Sequence, residues 1–150
     1  MKNKNQKNFS KNAWFFLVIL MLLSLFLAVG TQYIFPGCTG KMKDGNFMRC
    51  HWAQNAIILV ASMNALLCLI SVIIKDSKIR IGMMISSIIM DIIAIMLASN
   101  IVIRLCMNKD MHCWSSMKPM VTLISIIHII LAIIICVILA KKGEKINNVE

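Results

Sequence analysis

Two short stretches of the sequence share a pattern of methionine, one intervening residue and cysteine. Met48 and Cys50 frame the first copy, and Met111 and Cys113 frame the second. The first copy continues with histidine and tryptophan, and the second continues directly with tryptophan. A second cysteine precedes each copy, and these are Cys38 and Cys106. Cysteine and methionine sulfur atoms in such stretches can form disulfides, bind soft metals or take part in redox reactions. Which of these applies depends on the helices and loops that position the sulfur atoms.

The composition indicates a membrane protein. Of the 150 residues 59% are hydrophobic and only 15% are charged, with a mean hydropathy of +0.82, whereas soluble domains are about a quarter charged. Four apolar runs cover residues 13–35, 54–74, 81–103 and 120–140. Runs of about 20 residues cross a ~30 Å hydrocarbon core as helices. We therefore predict one all-α domain over residues 1–150, a four-helix transmembrane bundle.

The charged connections predict the orientation. Ten lysines and arginines fall in the two tails and the central connection, against six in the other two connections. The positive-inside rule then places both termini in the cytoplasm, in a multi-pass protein of the cell membrane. Residues 36–53 and 104–119 become the outer loops of two helical hairpins. We expect the first helix to be retained, because its apolar run extends beyond a usual signal-peptide core.

The net charge of +10 is spread over tails and short connections. It forms no basic stripe with interleaved aromatic residues, so the sequence argues against a nucleic-acid partner. The lipid bilayer is the predicted partner, with juxtamembrane charge beside anionic lipid. The sequence also lacks a nucleophile elbow, a phosphate loop and a zinc signature, which favours a protein that is not an enzyme.

The two cysteine stretches resemble the pattern of an uncharacterised bacterial family of small membrane proteins, domain of unknown function family 4418. The first stretch matches that pattern at Cys38, Met48, Cys50, His51 and Trp52. The second matches it at Cys106, Met107, Met111, Cys113 and Pro119. The resemblance implies a four-helix layout and, as a possible partner, the subunits of exporter-type ABC transporters. It implies no established activity.

The first interpretation of the loops is structural. Paired cysteines outside the cell usually become disulfides, and the simplest connectivity joins Cys38 to Cys50 and Cys106 to Cys113, although four cysteines allow three pairings. Such disulfides would add about 2–3 kcal/mol by restricting the unfolded chain. The protein would then be an accessory or partner-binding subunit with stapled outer loops.

The second interpretation is a copper or haem site. Thioether, thiolate and imidazole ligands together favour copper(I), and histidine with methionine can also hold haem iron. Six of the 13 methionines lie in or beside the two loops, although methionine more often fills apolar gaps. The candidate ligands are Met48, Cys50, His51, Met107, Met111, His112 and Cys113.

The third interpretation is thiol–disulfide exchange. A four-helix membrane protein with a cysteine pair in each outer loop resembles in layout the quinone-coupled oxidase of periplasmic disulfide formation. Arg49 beside Cys50 could stabilise a thiolate. Neither pair, however, has the C-x-x-C spacing that is usual for redox-active cysteines, which argues against this interpretation.

Three polar residues occupy the centres of otherwise apolar helices. Asn64, Asp91 and His128 each lie within about two residues of the middle of a run, hence within ~3 Å of the bilayer midplane. A carboxylate at that depth costs ~2.5–3.5 kcal/mol, so it needs a partner. We predict that the three form an intramembrane polar latch, rather than a proton or ion relay, which would need a longer chain of such groups.

Overall fold

The protein is all-α, as its composition predicts. The computed structural model describes residues 4–37, 47–74, 76–99, 101–102 and 113–147, with no strand among them. Its helices are α1 (Lys4–Tyr33), α2 (Arg49–Ile73), α3 (Ser77–Ala98) and α4 (Lys118–Asn147). A π-helical turn, Cys113–Met117, leads directly into α4.

The helices form a ring in which each packs against the next along the chain, and α4 closes the ring against α1. All four are long and apolar enough to cross a membrane. Large apolar side chains cover the outside: Leu59 on α2 is 65% exposed and Ile130 on α4 is 53% exposed. In water such an apolar surface would favour aggregation, whereas in a bilayer it is the ordinary lipid-facing surface of a helical bundle.

The helix bounds differ from the apolar runs, most importantly at α2. This helix begins at Arg49, so Cys50, His51 and Trp52 lie in its first turn and not in a loop. Hydropathy predicted a start at residue 54 because the preceding residues are polar or cationic. A helix needs only its backbone hydrogen bonds, and its first turn readily accepts polar side chains that reach solvent.

Helix α3 also begins earlier than its apolar run, at Ser77 in place of residue 81, and it ends at Ala98. The Asp76 side chain caps its start by accepting a hydrogen bond of 2.9 Å from the backbone N–H of Lys78, as N-cap carboxylates do. The Arg80 guanidinium donates to the carbonyls of Ile74 and Val72 at the end of α2. These contacts hold the turn between α2 and α3 in place.

The chain reverses direction at the C-terminal end of α1, where Phe35 packs against Gly30. The backbone N–H groups of Ile34 and Phe35 both donate to the Gly30 carbonyl, at 2.8 and 2.9 Å. The buried Phe35 ring lies so close to Gly30 that an added Cβ would be 2.7 Å from it. A larger residue at this position would have to displace the Phe35 ring, and the reversal carries the chain from α1 towards the start of α2.

The interior consists of two apolar clusters with a polar layer between them. One cluster holds Cys50 and Cys113 together with Ala53, Ile57 and Met117, and we call its end of the bundle the cysteine end. The other cluster is centred on Leu17, Met84 and Ile135. The polar layer comes from all four helices, at positions between the two clusters, and consists of Ser24, Asn64, Ser87, Asp91 and His128.

Candidate functional site

The structure brings one cysteine from each repeated stretch into contact. The sulfur atoms of Cys50 and Cys113 lie 3.4 Å apart, and both residues are 0% exposed. A disulfide bond measures about 2.05 Å, so this is contact between sulfurs and not a bond. Proximity along the chain predicted a pairing of each cysteine within its own loop, and not a contact between Cys50 and Cys113.

Different elements position the two sulfurs. Cys50 is the second residue of α2, where unpaired backbone N–H groups and the helix dipole favour an anion. Cys113 is the first residue of the π-helical turn before α4. A π-helical turn is wider than an α-helical turn. Such turns are rare in proteins, and those that occur are often found at functional sites. Here the turn gives Cys113 a register that differs from a straight extension of α4.

Gln54 joins the end of α1 to the start of α2 beside this sulfur contact. Its Nε2 donates to the Thr31 carbonyl at 3.0 Å, and its Oε1 accepts from the Gly37 backbone N–H at 3.0 Å. An added Cβ on Gly37 would lie 3.0 Å from the Cys50 carbonyl oxygen and 3.1 Å from Gln54 Oε1. Gly37 therefore lies directly against the backbone of Cys50.

The sequence analysis did not single out Gln54. The signal in the sequence that could have revealed it was a side-chain amide one helical turn after Cys50. A buried amide at that position would need hydrogen-bond partners. Gln54 is 5% exposed, and its two hydrogen bonds satisfy both ends of the amide, as burial requires.

Of the remaining predicted ligands at the cysteine end, Met48 and His51 are described. Met48 is half-buried and precedes α2 as its N-cap residue. The His51 ring stacks on Phe47 with centroids 4.7 Å apart, and its Nε2 accepts from Asn55 Nδ2 at 3.3 Å. Among the described residues, His51 makes these contacts with Phe47, Asn55 and Trp52 and no hydrogen bond to either sulfur. Within the described residues no three histidine, cysteine or acidic side chains converge as metal ligands.

Five of the predicted loop residues lie outside the described residues, and they are Cys38, Cys106, Met107, Met111 and His112. Each predicted disulfide has one member among them. Between the cysteines that the structure does describe, no two sulfurs lie at bonding distance. The pairings Cys38–Cys50 and Cys106–Cys113 therefore stay predictions.

The three predicted midplane residues lie together in the polar layer. His128 Nδ1 and Asp91 Oδ2 are 2.6 Å apart, and Asn64 Nδ2 donates to Asp91 Oδ1 at 3.0 Å. Ser87 extends the network by donating to Asn64 Oδ1 at 2.6 Å. Ser87 precedes Asp91 by one helical turn, so the i, i+4 spacing of polar residues on α3 was the signal that could have revealed it.

Hydrogen-bond chemistry determines where the protons of this network lie. Ser24 Oγ donates to the Leu20 carbonyl at 3.1 Å, so it accepts from His128 Nε2, which is 3.0 Å away. Nε2 also lies 3.3 Å from the Leu20 carbonyl, which can only accept. Nε2 therefore carries a proton. One further proton lies between Nδ1 and Asp91 Oδ2, and the pair is neutral overall whichever atom holds it.

Cys68 lies at the edge of the same network. Its sulfur is 4.0 Å from His128 Nε2 and 3.9 Å from Ser87 Oγ. The arrangement of Ser24, His128 and Asp91 matches the nucleophile, base and orienting acid of a hydrolase in its distances. Its proton positions are the reverse of a resting triad, however, because Nε2 donates and cannot take the serine proton. All three side chains are 2% exposed, and their hydrogen bonds connect α1, α4 and α3.

The sequence profile of the DUF4418 family, a domain of unknown function, matches residues 20–138. This range includes α2 and α3, most of the membrane-spanning parts of α1 and α4, both repeated cysteine stretches and the polar layer. No curated protein matches the chain. No solved structure matches it either. Because the match extends over most of its length, the chain belongs to the DUF4418 family.

Proposed function

We propose that this membrane protein carries out thiol–disulfide exchange between two cysteine pairs at the cysteine end of the bundle. The observation that carries the proposal is the 3.4 Å contact between the sulfurs of Cys50 and Cys113. Exchange proceeds by attack of one sulfur on another, and it needs the two sulfurs in contact. A purely structural role, with one disulfide staple in each repeated stretch, would not need sulfurs from the two stretches to touch.

The position of Gly37 supports the pairing of Cys38 with Cys50. Gly37 packs on the Cys50 carbonyl and is held there by Gln54. The next Cα along the chain is 3.8 Å from that of Gly37, and disulfide-bonded cysteines have Cα atoms about 4.4–6.8 Å apart. The chain therefore leaves Gly37 within reach of Cys50, and we assign Cys38 and Cys50 as the first exchanging pair.

The second pair is Cys106 and Cys113, as the sequence predicts. In the exchange, the Cys50 thiolate attacks Sγ of Cys113 in the Cys106–Cys113 disulfide. The bond between Cys50 and Cys113 forms while Cys106 leaves with the electron pair and takes up a proton. The Cys38 thiolate then attacks Cys50, and Cys113 leaves and takes up the second proton. Two electrons and two protons have moved from the first pair to the second.

This proposal removes the objection that neither pair has C-x-x-C spacing. In a C-x-x-C motif the helix itself holds two sulfurs close together. Here the reacting sulfurs belong to α2 and to the turn before α4, so tertiary packing brings them together and the spacing within each loop is free to vary. Cys50 also occupies a helix N-terminus, which stabilises a thiolate.

The other functions predicted from the sequence have less support. An accessory role beside ABC transporter subunits stays a prediction, since no described feature identifies a partner. Copper or haem binding also stays a prediction. Of its described ligands, His51 stacks on Phe47 and accepts from Asn55 through Nε2, and its Nδ1 has no hydrogen-bond partner among the described residues. The exchange proposal explains the contact between Cys50 and Cys113 without a metal.

The test is to trap the exchange intermediate. In the variant Cys38→Ser, purified in nanodiscs and oxidised, Cys50 has lost its proposed partner and should attack Cys113. Mass spectrometry without reduction should then find Cys50 linked to Cys113 and Cys106 with a free thiol. The double variant Cys38→Ser, Cys113→Ser is the matched control and should show no such link. A Cys38→Ser protein that retains only a Cys106–Cys113 disulfide would refute the proposal.

A further inference from the structure

A groove runs along the outer face of α4, from the π-helical turn towards the middle of the bundle. Its volume is about 570 Å³, within the range of small-ligand pockets. Trp114 and Lys118 form one end, and Leu123, Ile126 and Ile127 extend it along the helix. Lys118 is the one charged residue among the described side chains that line it. The groove therefore has one cationic, aromatic end and one apolar end.

The length of the groove matches one leaflet of a bilayer. Ile127 is the residue before His128, which belongs to the polar layer at the predicted midplane. Lys118 lies nine positions before Ile127, which is about 14 Å along the axis at ~1.5 Å per residue. One leaflet supplies half of a ~30 Å hydrocarbon core. Lys118 is therefore placed at the level of the lipid headgroups, and the apolar end lies at the level of the ends of the acyl chains.

The ammonium group of Lys118 is held in place at the headgroup end. Its Nζ lies 3.9 Å from the centroid of the Trp114 ring, and Trp114 in turn packs against the apolar cluster at the cysteine end. An ammonium group has three N–H donors, and the ring covers only one side of it. The donors on the other side can bind an anion without a further loss of side-chain freedom, which lowers the cost of binding.

We propose that the groove binds one anionic phospholipid of the leaflet at the cysteine end, with its phosphate on Lys118 and one acyl chain along Leu123 and Ile127. These two apolar residues are 55% and 42% exposed, so the groove is open to a chain that enters from the bilayer. The site does not depend on the exchange function, because the buried Cys50 and Cys113 do not line it.

Charge complementarity favours an anionic headgroup over a zwitterionic one. Both kinds of headgroup carry a phosphate, but in a zwitterionic lipid the headgroup's own cation competes with Lys118 for that phosphate. Thr122 also lines the groove, and its hydroxyl already donates to the Lys118 carbonyl at 2.8 Å. The preference for an anionic lipid therefore depends on the Lys118 ammonium group.

Photocrosslinking tests the position of the acyl chain. Phosphatidylglycerol with a diazirine in one acyl chain, diluted into phosphatidylcholine nanodiscs that hold the protein, should label the segment around Leu123 and Ile127. Added phosphatidylglycerol should compete, whereas the same amount of phosphatidylcholine or inorganic phosphate should not. Leu123→Trp fills the groove and should reduce this labelling at least ~10-fold, equivalent to about 1.4 kcal/mol in binding. Ile130→Trp adds similar bulk at a position of similar exposure outside the groove, and it should label normally.

Native mass spectrometry tests the role of the charge without altering the apolar end. Released from micelles that contain phosphatidylglycerol and phosphatidylcholine in equal amounts, the unaltered protein should retain one phosphatidylglycerol. Lys118→Gln should lower that retention about fivefold, equivalent to ~1 kcal/mol for one lysine near an anionic surface, and Lys118→Arg should retain the lipid. Lys141→Gln removes an exposed cation at the far end of α4 and should leave the retention unchanged.

Three results would overturn the lipid site: equal competition by phosphatidylcholine, labelling that Leu123→Trp leaves unchanged, or equal losses in Lys118→Gln and Lys141→Gln. Competition by inorganic phosphate would also overturn it and indicate a site for soluble phosphate. None of these results bears on the Cys50–Cys113 trap, which tests the exchange function separately.

Discussion

His128 on α4 and Asp91 on α3 share one proton across a distance of 2.6 Å between Nδ1 and Oδ2. Both side chains are 2% exposed. The pair joins two helices at the level where the two apolar clusters of the interior meet, and it is neutral overall. A neutral pair avoids most of the cost of placing a charge in hydrocarbon, which explains how an acid and an imidazole are accommodated there.

The first prediction concerns the chemistry of that pair. Asp91→Asn should be tolerated, because an amide can donate to His128 Nδ1 and still accept from Asn64. Asp91→Ala should lower the unfolding free energy in detergent by ~0.5–2 kcal/mol, since it removes the hydrogen-bond partner of His128 Nδ1 and of Asn64 Nδ2. The double variant Asp91→Ala, His128→Ala should lose less than the sum of the two single losses. Strictly additive losses would contradict the latch.

The second prediction compares two buried serines. Ser87 and Ser71 are both 0% exposed, but Ser87 donates to Asn64 while Ser71 Oγ has no hydrogen-bond partner among the residues that the structure describes. Ser87→Ala should therefore destabilise the protein by ~0.5–1.5 kcal/mol, the usual net value of a hydrogen bond. Ser71→Ala should be neutral or slightly stabilising. Thermal unfolding of the two purified variants, compared with the unaltered protein, decides this. Equal losses would show that the polar layer has no special role in stability.

The third prediction concerns Gln54, whose amide holds Thr31 and Gly37 in place. Gln54→Leu should cost ~1–3 kcal/mol, because it leaves a buried carbonyl and a buried N–H unsatisfied. It should also slow formation of the Cys38–Cys50 disulfide during reoxidation, measured by quenching with an alkylating agent and mass spectrometry. Asn55→Leu alters the next residue, which is exposed and, within the described part of the chain, forms a side-chain hydrogen bond to His51 alone. This variant should reoxidise at the normal rate.

The fourth prediction concerns orientation, for which the charge bias is the sole argument. Phe47 is 44% exposed beside the cysteine end, and Lys141 is exposed at the far end of α4. In a background without native cysteines, a membrane-impermeant maleimide should label Phe47→Cys in intact cells. It should label Lys141→Cys only after permeabilisation. The reverse pattern would invert the topology and place the sulfurs in the cytoplasm.

The sequence was sufficient for the fold because hydropathy and helix length are local properties of the chain. The same holds for the polar layer: a carboxylate in the middle of an apolar helix requires a partner, and few candidates existed at that depth. Ser24 could not be selected in advance, because a serine on α1 can satisfy itself on its own helix and the sequence does not reveal which one faces His128.

The contact between Cys50 and Cys113 could not be predicted from the sequence, for a different reason. Pairing cysteines within loops relies on proximity along the chain, whereas this contact depends on how α4 closes the ring beside α2 and on the π-helical turn that displaces Cys113. The apolar runs also missed the first turn of α2, because Arg49 and His51 lower the hydropathy ahead of residue 54 without interrupting the helix. Register and closure are tertiary properties and need the packed structure.

The complete burial of the two sulfurs has a consequence for how the cell could control them. Small aqueous thiols equilibrate only with sulfurs that they can touch, so the surrounding glutathione pool would set the oxidation state of Cys50 and Cys113 slowly, whatever its potential. Burial therefore separates these two sulfurs from electron exchange with small aqueous thiols. The oxidation state of Cys50 and Cys113 would then depend on which molecules reach the cysteine end, and not on the average redox potential of the compartment outside.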